Sequence, residues 1–451
     1  MKSLSVIIAS CNMLSGLQCC LDNVRRFIPA NIREIIIVDN GSSKENVRWL
    51  YSQQDVKILA NPVNRGLAAA WNQGAAAAKG EHLLFMHNDV LLSPNAFIVM
   101  DTLLEEREKL GAVFPWSNRS NYSCLPNVSY EDEEGFFSFA EYIMHEAPRE
   151  SPFMLLEDIC FLMKRKVYDD VGKFDEEFLA SGYETYDYSV RMLKKGYGIA
   201  RSSAYIHHEY GSYEENKWSR AETNEVNKIY FQQKWGFVGE YSMQIRDDVL
   251  SLLDLHKKIE AILDIGCSCG GNLMAIREKC PNAELYGVEL NPSAAEVAML
   301  FGEVVSKDIE IIDEPAWKEK FDYVIAADVL EHLNNPWQTV SNIHTLLKPD
   351  GILVASIPNV QHISNVMNLL HGYWHYEDWG ILDRTHLRFF TKHSIIEMFE
   401  QAGYSEVKII AKPNVLSPDQ EAYLQLLNNQ QALCVDEENM RTFQYLVVAK
   451  R

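Results

Sequence analysis

The sequence predicts an α/β protein built from two parallel-sheet domains in tandem. Three observations predict it. Apolar runs of strand length alternate with helix-like stretches, the runs end in polar residues or glycine, and the pattern starts twice, near residue 4 and again near residue 261. Continuous apolar strands belong to sheets covered on both faces, which place ligands at their strands' carboxyl ends. A length of 451 residues suits two or three domains.

The elements follow in order. LSVIIA (4–9) and EIIIVD (34–39) are buried-strand runs with a helix-like segment between them, and HLLFM (82–86) is a third. The pattern resumes with AILDIG (261–266), ELYGVEL (284–290), FDYVIAA (321–327) and GILVASI (351–357). Residues 213–260 are polar, helical in pattern and free of strand runs. The seam therefore falls within 240–255, giving domains of 1–240 and 241–451.

Composition removes several function classes. Apolar residues at 47% and charged residues at 23% describe a globular chain. The net charge of −21 repels phosphate backbones, so no nucleic-acid partner is expected. No apolar run approaches the roughly 18 residues of a membrane span, and residues 1–10 are too short for a signal peptide. Nine cysteines without a CxxC pair argue against structural zinc and against a disulfide framework. Reduced thiols in the cytoplasm are the simplest expectation.

The first domain carries its polar residues at strand ends. Asp39-Asn40-Gly41-Ser42-Ser43 closes the second run, where Asp39 offers an acceptor to a nucleobase. Asn64-Arg65-Gly66 then leads into a small-residue helix with Trp71, Asn72 and Gly74, whose alanines favour close packing on the sheet. His87-Asn88-Asp89 ends the third run. A carboxylate there suits a hard divalent cation held against a diphosphate. Farther on come Glu184 and Asp187, three apart on one helix face, and the adjacent His207 and His208.

Taken together, SVIIASCN, EIIIVDNGSS, NPVNRGLAAAWNQGA, LLFMHNDVLLSP, VGKFDEEF and YETYDYSVRMLKKGY resemble a family 2 glycosyltransferase of the GT-A fold, over about residues 3–235. The resemblance implies an inverting sugar transfer from a nucleotide-sugar donor. Asp39 would contact the base and Asn72 would help hold the nucleotide. Asp89 would bind Mg²⁺ or Mn²⁺, with His207 favoured over His208 as a second ligand. The catalytic base would be Glu184 or Asp187, with Glu184 preferred. Two positions depart from the family pattern: His87 replaces the first acid of the metal motif, and Thr185 stands where the second residue of a Glu-Asp pair is expected.

The second domain opens with Asp264-Ile265-Gly266-Cys267-Ser268-Cys269-Gly270-Gly271 between a strand and a helix. Its glycines allow close backbone approach to a ligand, but their spacing is not that of a dinucleotide loop. The two cysteines read as small spacers. Glu289 closes the next run, 23 residues after Gly266, where an acid can accept from ribose hydroxyls. Asp308 follows the third run and Asp328 the fourth.

This series resembles a class I S-adenosylmethionine-dependent methyltransferase over roughly residues 255–451. The resemblance makes both domains Rossmann-like and implies S-adenosylmethionine bound by Asp264, Gly266, Gly270, Glu289, Asp308 and Asp328. His332 is the candidate base, with His362 and His386 as alternates. Tyr373, Trp374, Tyr376 and Trp379 form an aromatic, lid-like stretch suited to stacking on sugar rings. The combined expectation is a bifunctional enzyme of surface-glycan or glycoprotein assembly, with a glycan, lipid-linked or protein-linked acceptor and peripheral membrane contact. The alternative, motivated by His87 and Thr185, is a methyltransferase joined to a glycan-binding or scaffolding domain of weak transfer activity.

Overall fold

The computed structural model describes residues 2–119, 128, 130–179, 182–209, 220–429 and 435–451. The chain divides into two compact units, Met1–Met243 and Gln244–Arg451.

The first unit is built on a nine-stranded sheet. Its strands are β1 (Leu4–Ser10), β2 (Arg33–Asn40), β3 (Val56–Asn61), β4 (His82–His87), β5 (Val90–Leu92), β6 (Leu110–Ser117), β7 (Glu150–Phe153), β8 (Cys160–Lys164) and β9 (Gly198–His208). They lie in the order β3-β2-β1-β4-β8-β6-β9-β5, with β7 also paired to β9. The strands β3, β2, β1 and β4 are mutually parallel, whereas β8 runs antiparallel to both β4 and β6. Because β1 leads outward to β2 on one side and neighbours β4 on the other, the strand order reverses there and opens a crevice at the carboxyl ends.

Side-chain size sets how closely helices cover this sheet. The helix Leu67–Ala77 packs on β1 and β2 through its alanines and Gly74. A Cβ on Gly74 would come within 2.3 Å of Ile7 Cγ2, so any larger residue would push the helix off the strand. Trp71 is fully buried against Phe85, Phe161 and Phe174, which makes it a core residue and leaves no face for a sugar.

The second unit holds seven strands: β10 (Ala261–Ile265), β11 (Glu284–Val288), β12 (Glu303–Val305), β13 (Phe321–Ala327), β14 (Leu347–Pro358), β15 (Glu406–Pro413) and β16 (Thr442–Lys450). Their order is β12-β11-β10-β13-β14-β16-β15. The first five are parallel, and β16 inserts antiparallel between β14 and β15. The order reverses at β10, so the carboxyl ends of β10 and β13 flank the crevice. β15 and β16 lie beyond the last run read from the sequence. β15 opens by alternating apolar with polar residues, whereas β16, interior to the sheet, carries the apolar run Tyr445–Ala449.

Candidate active sites

In the first unit, β4 delivers His87 and Asp89 to the strand-end crevice and β9 delivers His208. The ligand atoms of these three side chains lie within 4.8 Å of one another. His208 Nε2 is 3.2 Å from Asp89 Oδ1. Burial disfavours the charged imidazole of His208, but the hydrogen bond and charge of Asp89 outweigh it and raise its pKa. Two imidazoles and a carboxylate form a donor set suited to Mn²⁺ or another borderline divalent ion.

The placement of His207 corrects the expectation for it. Successive residues on a strand point to opposite faces. His207 accordingly leaves the crevice and hydrogen-bonds through Nδ1 to the Tyr130 hydroxyl, beside Phe136. Burial lowers its pKa. His208 is the histidine that faces Asp89.

Glu184 opens the helix Glu184–Lys194 and is 1% exposed, with no side-chain donor on its carboxylate among the described residues. Burial, reinforced by the charge of Asp158, pushes its carboxyl up to about 8. Asp158 acts electrostatically on both Glu184 and His208, and so belongs to the same neighbourhood. No sequence motif marked it.

Asp187 has a different environment, and its candidacy as a base is corrected. Its Oδ2 accepts from Arg191 Nε at 2.9 Å, while Oδ1 accepts from Trp235 Nε1 at 3.0 Å and pairs with Lys234 Nζ at 2.7 Å. A carboxylate held by two cations and an indole braces the helix and has little capacity left for a substrate proton.

Asn72 is corrected in the same way. Its amide nitrogen donates to Phe174 O and to Glu176 Oε1, each at 2.9 Å. Its Oδ1 accepts from the Tyr168 hydroxyl at 3.0 Å and from the Phe174 N–H at 2.9 Å. Both donors and both lone pairs are spent on tying the 168–176 segment to the helix. Asp39, by contrast, is buried at the end of β2, and Oδ1 has no hydrogen-bond partner. Burial raises its pKa against the hydrogen bond from Ser42. A cavity of about 460 Å³ bounded by Arg26, Glu133, Phe137 and Tyr205 lies elsewhere, and none of these site residues lines it.

In the second unit, the loop after β10 turns on Gly266 and Gly270, at φ +68° and +84°. A Cβ at Gly266 would meet Val329 Cγ2 at 2.6 Å, and one at Gly270 would meet Ala298 Cα at 2.9 Å, so both positions demand glycine. Glu289 steadies the loop by accepting from the Ser268 N–H at 2.8 Å and the Asn291 N–H at 2.7 Å. Each oxygen keeps a second lone pair for a ribose hydroxyl. Asp308 accepts from the Glu310 N–H at 2.9 Å and caps a short helical turn.

Asp264 is 1% exposed, and its Oδ2 has no hydrogen-bond partner. Burial, partly offset by Asn272 and reinforced by Glu289, pushes its carboxyl up to about 7. An orphaned acceptor under a glycine loop fits a ligand bearing N–H or O–H groups. Asp328 accepts from Ser356 Oγ at 2.7 Å and also pairs with Arg246 and Gln444. Sequence reasoning missed Arg246, which lies in the stretch read as the linker.

His332 and His386 meet edge to face at 4.7 Å, with the Glu331 carboxylate close by. Burial, with the charge of His386 adding, lowers the pKa of His332. His362 does not join them. Its Nδ1 hydrogen-bonds to Ser364 Oγ at 2.8 Å and caps the helix Ile363–Leu370, and burial pushes it down to about 4. Tyr373, Tyr376 and Trp379 are exposed, with Trp374 and Tyr376 against Phe389.

Each unit thus gathers polar side chains at the carboxyl ends of its central strands, and comparison with known proteins bears on both. Residues 5–172 match the glycosyl transferase family 2 model, and residues 237–409 match a methyltransferase domain model. Each match falls within one of the two units: glycosyl transferase family 2 in the first, and the methyltransferase domain, apart from a few residues, in the second.

Among its relatives, a ubiquinone biosynthesis O-methyltransferase of Cereibacter sphaeroides is 27% identical over 158 residues, covering 32% of this chain and 60% of that protein. The O-antigen biosynthesis protein RfbC of Myxococcus xanthus is 24% identical over 200 residues, 40% of this chain and 15% of that one. The chain therefore spans less than two thirds of the length of either. A solved structure of GalNAc-T7 with UDP, GalNAc and Mn2+ aligns at a TM-score of 0.43 and 16% identity, covering 56% of this chain and 52% of that chain. Among the described residues no helix is long and apolar enough to cross a membrane.

Proposed function

We propose that the chain is a bifunctional enzyme of glycan assembly: an inverting glycosyltransferase followed by an S-adenosylmethionine-dependent methyltransferase. The observation that carries the transfer reading is Glu184, whose carboxyl is buried and raised in pKa in the same neighbourhood, through Asp158, as the Asp89–His208 pair. Burying a carboxylate without a cationic partner costs stability, and groups so perturbed cluster at functional sites.

In the first domain, Asp39 accepts from the nucleobase at the end of β2. His87, Asp89 and His208 would hold a divalent cation, which when bound neutralises charge on the departing diphosphate. Glu184 takes the proton of the acceptor hydroxyl as that oxygen attacks the anomeric carbon from the side opposite the diphosphate. Burial has already placed its pKa where a base is effective near neutral pH.

In the second domain, the loop from Gly266 to Gly270 lets the backbone approach S-adenosylmethionine. Glu289 accepts from the ribose hydroxyls, Asp308 from the adenine amino group, and Asp264 fills its vacant hydrogen-bonding capacity on the donor. Asp328 orients Arg246 at the neighbouring strand end. When bound, the sulfonium donor supplies the activated methyl group, and the acceptor enters beside the turn that bears His332.

The acceptor is a glycan, free or carried on lipid or protein, met at a membrane surface where lipid-linked. The test is donor consumption by the full chain, with nucleotide sugars plus Mn²⁺ in one arm and labelled S-adenosylmethionine in the other. Absence of metal-dependent sugar-donor turnover would favour the second reading, a glycan-binding first domain, for which His87 in place of a carboxylate speaks.

A further inference from the structure

We infer that Glu331, His332 and His386 form a second divalent-metal site, in the methyltransferase domain. The three residues come from two distant segments. Glu331 and His332 lie in the helical turn just after β13, and His386 in the loop that follows the exposed aromatic stretch. Their ligand atoms lie within 4.8 Å of one another.

The arrangement of the nitrogens is that of ligands. His386 Nδ1 is 2.9 Å from the Ile381 carbonyl, to which it can only donate. His332 Nδ1 is 3.2 Å from the Thr385 carbonyl and 3.1 Å from Thr385 Oγ1. With each Nδ1–H donated to a backbone oxygen, each Nε2 is the nitrogen that keeps its lone pair for a ligand bond. A backbone carbonyl behind an imidazole is how proteins fix the tautomer of a metal-binding histidine.

Glu331 supplies the second, independent sign. The residue is 1% exposed, and among the described residues no side-chain donor meets its carboxylate. The backbone around it is nevertheless locked, because its carbonyl accepts from the N–H groups of Leu387 at 2.8 Å and Arg388 at 3.0 Å. This double bond also fixes the loop bearing His386 against the turn bearing His332. Asp383 does not compete for the site, since its Oδ1 accepts from the Thr385 N–H and hydroxyl. Asp328 is held by Arg246, Ser356 and Gln444.

Two imidazole nitrogens and one carboxylate select Zn²⁺, Mn²⁺, Fe²⁺ or Co²⁺ over Ca²⁺ or Mg²⁺, which favour oxygen ligands. Three protein ligands leave coordination positions open. On the methyl-transfer reading, on which this role alone rests, those positions receive oxygens of a polyhydroxylated acceptor near the end of β13.

The test uses the full chain carrying Asp89→Ala and His208→Ala, which remove the first domain's cluster. After chelator dialysis, Zn²⁺ or Co²⁺ is titrated by calorimetry, and S-adenosylmethionine binding is measured alongside as a fold control. The expected result is one equivalent of metal, weakened about 100-fold or more by adding His386→Ala or Glu331→Gln, with donor binding retained. X-ray absorption of the zinc-loaded parent, which needs no further substitution in the second domain, should show two imidazole nitrogens in the zinc shell. Absence of a bound equivalent, or a zinc shell without two imidazoles, would overturn the inference. So would unchanged affinity in both variants. Because donor binding is read separately, loss of the methyl-transfer reading and loss of the metal site give different results.

Discussion

His208 on β9 and Asp89 just after β4 meet at 3.2 Å across two strands that are not neighbours in the sheet. The short strand β5 brings them together by pairing with the end of β9, Val90 with His208 and Leu92 with Ile206. Asp89→Ala should lower metal-dependent sugar-donor turnover about 100-fold, the usual loss when one group stabilising developing charge is removed. His208→Ala should lower it similarly, whereas His207→Ala should affect only packing around Tyr130. Initial rates across a Mn²⁺ titration check all three.

Glu184 and Asp187 are separated by function despite sharing a helix face. Glu184→Gln should abolish sugar transfer in a folded protein. Asp187→Asn should destabilise the first domain by about 3 kcal/mol, because Arg191 loses its carboxylate partner while Lys234 keeps only Asp175. Denaturant melts and transfer assays on the same preparations distinguish the two effects.

The pH dependence follows from the sign of the Glu184 shift. With a folded pKa of about 8, the base is protonated at lower pH, so transfer should rise with pH around a midpoint near 8. For stability the direction reverses. Between 4.5 and about 8 the unfolded chain releases this proton while the folded chain keeps it, so the contribution of Glu184 to stability falls across that window. Melting temperatures of Glu184→Gln should therefore improve relative to the parent between pH 5 and pH 9. An unchanged difference would contradict the buried environment of this carboxyl.

Asn72→Ala should act on stability rather than on donor affinity. It leaves the Tyr168 hydroxyl and the Phe174 N–H without their acceptor, a loss of about 2 kcal/mol. Equilibrium unfolding together with a nucleotide-binding titration of the folded fraction checks this.

Much of the molecule was legible because strand ends are. Asp39, Asp89, Glu289 and Asp328 all stand where an apolar run stops, and the structure puts each at or just past the carboxyl end of a strand. What failed depended on partners far away in the chain. His207 and His208 differ by one step of strand parity, and the register of β9 against β6 shifts twice before reaching them, so local pattern does not fix which one faces inward. Asp187 looked equivalent to Glu184 until Lys234 and Trp235 arrived from a later helix, 47 and 48 residues on. Asn72 was spent on the 168–176 segment, about a hundred residues away. His386 reaches His332 only because a loop folds back on Glu331.

The central claim is that one chain carries two separate donor sites, each with its own chemistry. The most direct measurement is binding and turnover of both donors by the full-length protein and by two variants, Asp89→Ala and Glu289→Ala. The predicted result is a clean exchange. Asp89→Ala loses sugar-donor turnover and keeps S-adenosylmethionine binding. Glu289→Ala weakens S-adenosylmethionine about 10- to 100-fold, as expected for lost charge-assisted hydrogen bonds, and keeps sugar-donor turnover. A chain that binds only one donor, or variants that lose both together while remaining folded, would contradict it.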